Sequence, residues 1–284
     1  MSRKFAITGY PLIHSMSKPI HERLFSLSGK EAEYLVMEIS PEQFEQNVPK
    51  LKELDGFNVT IPHKCTIIPF LDRLDEKASL YGAVNVVHHD GDSFIGYNTD
   101  VDGFTRSLVE NGIPLHGKVC IMGAGGAGRM ACIELARQGA DLTIAVRDRE
   151  DNIKGAEELC QYIRSIKADA KVQVTTLNRL HPPYDLLVNT TPVGMYPKVD
   201  FTPIDKSILT DCKAVFDIVY NPSVTRLMAE AKEAGCKVIG GMSMLVWQAV
   251  VAHEIWDDAS YRTEDILRLV DEMVAELEEK QKAQ

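Results

Sequence analysis

The 284-residue chain is most informative at first for what it lacks. Its six cysteines, Cys65, Cys120, Cys132, Cys160, Cys212 and Cys236, form no CxxC pair. None stands with a histidine at zinc-ligand spacing, so no metal site is expected. No run of about 18 apolar residues occurs, and no segment is expected to cross a membrane. A GxSxG elbow and an HExxH helix are both missing, which removes the commonest hydrolase readings. Positive charge is in deficit, with 31 Lys+Arg against 41 Asp+Glu and a formal net charge of −10. That balance speaks against nucleic acid or an anionic membrane as partner, since both surfaces are themselves negative. It leaves a small anion open, because one local site can be positive on an acidic protein. The opening MSRKFAITGYPLIH is basic but holds no uninterrupted apolar stretch and does not read as a secretory signal. Scattered free cysteines fit a reduced, cytoplasmic compartment. No internal repeat or low-complexity linker interrupts the chain.

What remains is ordinary globular composition, 45% hydrophobic and 25% charged, in a length that suggests two domains at roughly 150 residues each. Short apolar runs alternate with helical patterns. Phe5–Ile7, Tyr34–Ile39 and Phe57–Ile61 read as strands. A helix between the first two has Ser17 as expected N-cap and Gly29 as stop. Pro49 is expected to kink or split a helical stretch running from Phe44 to Leu54. Val84–His88 and Ser93–Tyr97 flank Asp90-Gly91-Asp92 as a hairpin, with His88 and His89 expected in solvent. Beyond Asp100 the pattern becomes a βαβ succession, with strands at Val119–Met122, Leu142–Val146, Val172–Thr176, Asp185–Val188, Ala214–Val219 and Val238–Ile239. Helical segments between them imply parallel strands. The chain closes in helices with Leu267, Val270, Val274 and Leu277 as the expected apolar stripe and a solvated acidic end at Glu278-Glu279. The fold class is therefore α/β, with two domains. Residues 1–100 are expected as a mixed-sheet domain and residues 101–243 as a Rossmann-type domain, with helices over 244–284.

Val119–Met122 leads into Gly123-Ala124-Gly125-Gly126-Ala127-Gly128 and then an apolar helical run. A lone GxGxxG is a weak signal, but this one follows a strand, opens a helix and precedes another βαβ strand, the context of a dinucleotide fingerprint. Arg129-Met130 follows where a P-loop would need Lys-Ser/Thr. At the end of the next strand, an acidic residue would grip the ribose 2′-OH of NAD and an arginine would accommodate the 2′-phosphate of NADP. Arg147-Asp148-Arg149 supplies both, so the residues alone leave the choice open.

Three segments of the first domain carry polar residues that a core would not need: 9–17, Asn58–Lys64, and Gly82–Asn85 with Asn98-Thr99-Asp100. With their HSxS, NVTxPxK, GAVN and NTD motifs in order, and Gly240–Gln248 similar to a GxxMLxxQ element, the chain resembles the shikimate dehydrogenases, including their quinate/shikimate relatives, over essentially its whole length. The resemblance implies reversible reduction of 3-dehydroshikimate by a nicotinamide cofactor, NADP with NAD as the alternative, on the route to aromatic amino acids. By position it implies that Lys64 and Asp100 are the catalytic pair, and that Ser15 and Ser17 hold the substrate carboxylate. Thr60, Asn85 and Gln248 would hold ring hydroxyls, with Tyr220 closing the pocket from the second domain. Gly123, Ala124, Gly125, Gly126, Ala127, Arg147, Arg149, Thr191, Ile218 and Gly241 would contact the cofactor.

Elementary chemistry supports these types. A carbonyl that receives a hydride needs a proton, and a positioned lysine can give it. Hydroxyls and helix-start N–H groups suit a carboxylate, and amides suit neutral hydroxyls. His14 and His63 are expected to be structural, because their neighbours do the polar work. The chain departs from the family at Lys18, which adds charge near the expected carboxylate site, at Val101-Asp102-Gly103, at Val146 and at Ser243. Two rivals stay open: an NAD-dependent quinate dehydrogenase, and a non-catalytic dinucleotide-binding regulator. The only other partner expected is a second copy, in a monomer or homodimer.

Overall fold

The computed structural model describes residues 3–13 and 15–282, so His14 lies outside the described residues. The chain divides into two compact units, Met1–Gly103 with Leu245–Ala275, and Phe104–Met244 with Glu276–Gln284.

The first unit is built on β1 (Arg3–Gly9), α1 (Ser17–Ser28), β2 (Ala32–Glu38), α2 (Phe44–Leu51) and β3 (Gly56–Val59). It continues through β4 (Arg73–Leu74), α3 (Glu76–Tyr81), β5 (Val86–Asp90) and β6 (Ser93–Tyr97) to α4 (Asp100–Val109). The strands form one mixed sheet in the order β2-β1-β3-β5-β6-β4. β1, β2 and β3 are parallel, while β5 runs antiparallel to β3 and to β6. The two-residue period of β1 puts Phe5 and Ile7 on one face, packed with Phe25, Tyr34, Ala252 and Trp256. Ala6 faces the opposite core with Phe44, Val48, Phe57 and Val87. Each such large side chain contributes about 1.5–3 kcal/mol by leaving water.

The second unit holds β7 (Lys118–Met122), α5 (Gly126–Arg137), β8 (Asp141–Val146), α6 (Glu150–Ile166), β9 (Val172–Thr176) and β10 (Tyr184–Asn189). β11 (Cys212–Asp217), α7 (Arg226–Glu233) and β12 (Lys237–Gly240) follow, before α8 (Gly241–Asp257) and α9 (Thr263–Lys282) end the chain. All six strands are parallel, in the order β12-β11-β10-β7-β8-β9. That order is the doubly wound one, with its switch point between β7 and β10. Among the described residues no helix is long and apolar enough to cross a membrane, and no group of three or more candidate ligands could hold a metal ion.

The α/β class and the Rossmann-type sheet are as the sequence indicates, but several local expectations need correction. Met16, not Ser17, is the N-cap of α1, and Ser17 is its first helical residue. Pro49 does not split its helix. It stands two residues before the end of the eight-residue α2, where few backbone bonds remain to be lost. β11 ends at Asp217, two residues earlier than the apolar run, because the Asp217 carboxylate turns back to bond the Val219 N–H. Only a 3-10 turn, Leu177–Arg179, lies between β9 and β10, so that crossover has no α-helix. The buried stripe of α9 is Ile266, Leu269, Met273 and Leu277, one row over from the expected one. Both rows have helical spacing, and periodicity cannot choose between them. His88 and His89 are half-buried, with burial lowering the pKa of His88 and His89 stacked on Phe94 at 4.3 Å. At the acidic end, Glu278 accepts a hydrogen bond from Ser223 (2.8 Å), so only Glu279 is fully exposed.

Candidate active and cofactor sites

In the first unit the parallel strands β1 and β3 end at the same sheet edge, and the antiparallel register brings the start of β5 and the end of β6 to it. Asn58 lies opposite Val86, and Val86 opposite Tyr97. Thr60, Asn85 and Asn98–Asp100 therefore emerge together, although they span some forty positions of sequence. Ligands of open α/β sheets bind at such carboxyl ends.

Asn85 locks this edge. Its backbone pairs with Val59 (2.9 Å) and Tyr97 (3.0 Å). Its side-chain oxygen accepts from the Thr99 N–H at 2.7 Å. Its amide nitrogen lies 2.9 Å from Thr99 Oγ1, 2.9 Å from Asp100 Oδ1 and 3.0 Å from Gln248 Oε1, so two hydrogens serve three acceptors. The other oxygen of Asp100, Oδ2, takes the Lys64 ammonium at 2.5 Å. Both partners keep limited access to solvent, at 25% and 17% side-chain exposure. Lys64 is placed by its own carbonyl, which accepts from Val84 at 2.8 Å. Four of the expected residues, Lys64, Asn85, Asp100 and Gln248, thus form one hydrogen-bonded group.

Ser15 and Ser17 sit together at the start of α1, the Ser17 N–H donating to Ser15 Oγ at 3.3 Å. Ser17 is buried and Lys18 is exposed, its ammonium 3.8 Å from Glu22. Thr60 is half-buried, with its N–H on Thr8 and its carbonyl accepting from His63. His63 is buried, bonded to the Ile39 carbonyl (2.7 Å) and stacked on Phe44, a structural position. At the start of α4, Asp102 pairs with Lys77 at 2.5 Å, which ties α3 to the departing Val101-Asp102-Gly103 segment.

In the second unit the glycine turn joins β7 to the N-terminus of α5. Gly123 has φ +105°, a conformation that side chains rarely adopt. A Cβ on Gly128 would stand 2.3 Å from the Gly123 carbonyl oxygen and 2.8 Å from Thr190 Oγ1. By contrast, a Cβ on Gly125 or Gly126 would meet nothing within 4 Å. Those two residues open the helix into free space, with no acidic residue in the first turn. This is the cradle a pyrophosphate requires, since helix-start N–H groups and the dipole both favour an anion. Ala124 and Ala127 are half-buried around it. Arg147, Asp148 and Arg149 are exposed after β8, and neither arginine has an ion-pair partner among the described residues, so positive charge is free for a 2′-phosphate.

Thr191 follows β10, and Ile218 and Tyr220 follow β11. Burial pushes the Tyr220 phenol above its usual pKa. Gly241 opens α8, its N–H on the Val219 carbonyl at 3.2 Å. Ser243 is buried and its hydroxyl has no partner among the described residues.

Sequence reasoning missed Thr190, whose hydroxyl caps the Met122 carbonyl at 2.8 Å beside the glycine turn. It also missed Asn189 and Asp217, polar residues closing apolar strands, a signal that could have marked both. The buried pair His21 and His253, 3.0 Å apart and 232 positions apart in sequence, left no such signal.

A doubly wound sheet with an open glycine cradle in one unit, and a lysine–aspartate pair in the other, define a two-unit, dinucleotide-dependent oxidoreductase. Residues 7–87 match the family model for the shikimate dehydrogenase substrate binding domain. A shikimate dehydrogenase (NADP+) of Carboxydothermus hydrogenoformans is 38% identical over 259 residues, covering 89% of this chain and 91% of its own. A crystal structure of a shikimate dehydrogenase in complex with NADP+ superposes with a TM-score of 0.86 at 33% identity, covering 96% of each chain. A Listeria monocytogenes shikimate 5-dehydrogenase, in complex with shikimate and NAD, superposes with a TM-score of 0.84 at 32% identity, covering 95% of this chain and 96% of the other. The chain belongs to the shikimate dehydrogenase family.

Proposed function

We propose that this protein is an NADP-dependent oxidoreductase that reversibly reduces 3-dehydroshikimate to shikimate. The observation that carries the reading is the Lys64–Asp100 pair, both of whose carboxylate oxygens are engaged, one by the ammonium and one by Asn85. The glycine turn would hold the dinucleotide, whose reduced nicotinamide would supply the hydride. The carbonyl oxygen of the substrate then holds an extra electron pair, and Lys64 Nζ gives it the proton that completes the hydroxyl. Asp100 keeps the ammonium aimed, and the partial exposure of Lys64 lets solvent return the proton. In the reverse direction the neutral amine takes the proton from the hydroxyl. Work of this type is worth about 10²–10⁴-fold in rate.

Ser15 and Ser17, at the amino end of α1, fit the carboxylate of the substrate. Thr60, Asn85 and Gln248 fit its ring hydroxyls. Asn85 fixes the Gln248 oxygen, which leaves the Gln248 amide N–H groups to donate. Tyr220 contributes from the cofactor-binding part of the chain. Gly123 to Ala127, Arg147, Arg149, Thr191, Ile218 and Gly241 serve the dinucleotide, with the two arginines directed at the 2′-phosphate. We assign residues 1–100 with 244–284 to substrate and catalysis and 101–243 to cofactor, a division that the compact grouping of the chain supports except at 276–284, which group with the second unit. We also read the protein as a cytoplasmic enzyme acting as a monomer or homodimer, for which its free cysteines give support as to compartment.

Asp148, between the two arginines, favours a second reading in which NAD is also accepted. Measuring kcat/KM for NADP+ and NAD+ on shikimate and on quinate tests both. NADP+ with shikimate is expected to be the best pair. No turnover of shikimate with either cofactor overturns the reading and leaves the non-catalytic regulator.

A further inference from the structure

Asp217 ends β11 with its side chain wholly removed from solvent. Its hydrogen-bond partners are all neutral. Oδ1 accepts from Asn189 Nδ2 at 2.9 Å and from the Val219 N–H at 3.1 Å, and Oδ2 accepts from Thr225 Oγ1 at 2.6 Å. Burial raises its pKa to about 6 despite these three donors. A buried carboxylate without a counter-ion is costly to keep. What it joins explains its place. Asn189 turns its own oxygen to the Thr191 N–H (3.0 Å) and hydroxyl (2.7 Å). The Asn189 carbonyl accepts from the Ile218 N–H at 3.0 Å, and the Val219 carbonyl accepts from Gly241. Thr225 caps α7 through the Met228 N–H.

We propose that Asp217 is a positioning residue: it fixes the Thr191 turn and the Ile218–Tyr220 turn against each other and so shapes the nicotinamide end of the cofactor site. Asp217 itself presents no atom to a ligand. The half of a doubly wound sheet beyond the switch point, here β10 to β12, takes the second mononucleotide of the cofactor. The glycine turn and Arg147 serve the first. The inference rests on the oxidoreductase reading above.

Two substitutions separate positioning from mere stability. In Asp217→Asn the remaining oxygen still accepts from Asn189 and Val219, and the Thr225 hydroxyl can rotate to accept from the new amide. Asp217→Ala removes all three bonds. Titration calorimetry without substrate is run with NADP+ and with adenosine 2′,5′-bisphosphate, which reaches only the adenosine end. Asp217→Ala is expected to weaken NADP+ about tenfold, the effect of losing a hydrogen bond to a charged group, and to leave the bisphosphate within about twofold. Asp217→Asn is expected to restore NADP+ affinity to within about threefold of wild type. If Asp217→Ala does not fold, Asn189→Ala removes the Asn189 bonds to Asp217 and Thr191, leaves those from Val219 and Thr225, and shows the same split on a smaller scale. Equal weakening of both ligands, no weakening of either, or an Asp217→Asn as weak as the alanine variant overturns the proposal. Failure of the oxidoreductase reading looks different, because wild-type protein then turns over no shikimate with either cofactor, whatever the variants bind.

Discussion

Acid should weaken the first unit through two buried histidines that stand outside the candidate catalytic group. His21 on α1 and His253 on α8 are buried, with Nδ1 of the first 3.0 Å from Nε2 of the second. His21 also stacks on Tyr34 at 4.3 Å. Burial lowers the pKa of both, helped by the charge of His253 on His21 and of Arg3 on His253, and brings His253 down to about 3. The fold therefore holds His253 neutral, whereas the unfolded chain protonates it below about pH 6.5. Stability is complete above pH 6.5 and falls as pH drops toward the folded value. The loss from His253 alone runs at about 1.4 kcal/mol per pH unit, so about 3 kcal/mol is gone by roughly pH 4.5. The full interval down to about 3 corresponds to about 5 kcal/mol, comparable to the whole stability of many domains. His21 adds a loss of the same sign. His253→Gln keeps a hydrogen-bonding group beside His21 but cannot titrate. Urea unfolding followed by tryptophan fluorescence suits the assay, since the Trp256 ring lies 5.7 Å from His253 and 5.5 Å from His21. The difference between wild type and variant should be constant above about pH 6.5 and shift steadily toward the variant below it, while the carboxylates, common to both proteins, cancel. Parallel stability curves from pH 7.5 to 4.5 would show that His253 contributes no such penalty and refute the reasoning.

Lys64→Ala should lower kcat by about 10²–10⁴-fold while KM for shikimate changes less, as read in steady-state assays on protein with an unchanged circular dichroism spectrum. A kcat near wild type would remove Lys64 from the mechanism. Gly128→Ala drives a methyl group to within 2.3 Å of the Gly123 carbonyl oxygen, so it should lower Tm and NADP+ affinity together. Gly125→Ala meets nothing in the protein and should keep its Tm while losing NADP+ affinity, because its methyl group occupies the pyrophosphate cradle. Scanning calorimetry paired with NADP+ titration distinguishes the two, and equal behaviour of the variants would contradict the geometry of the turn.

Much of the candidate site was legible because its residues are carried by contiguous motifs. The glycine turn announces itself between a strand and a helix, and Asn58–Lys64 and Asn98–Asp100 each hold several polar residues within a few positions. The strands of the second unit were legible for the same reason, since buried parallel strands read as unbroken apolar runs. Legibility failed where two neighbouring patterns satisfy the same period, as in α9, and where a side chain overrides propensity, as when Asp217 ends β11 early. It failed also at the crossover between β9 and β10, where the chain uses a 3-10 turn instead of an α-helix.

By itself the sequence determined the class of the two domains, the cradle for a dinucleotide and the residue types of the candidate chemistry. These follow from local rules: the periods of helix and strand, the freedom of glycine, and the donors and acceptors each side chain carries. Tertiary structure decided which of those groups meet. Gln248 reaches Asn85 across 163 positions, His253 reaches His21 across 232, and Asp217 gathers donors from β10, its own turn and α7. Such contacts depend on strand register and on the rotation of each helix about its axis, and both are set by how the whole core packs.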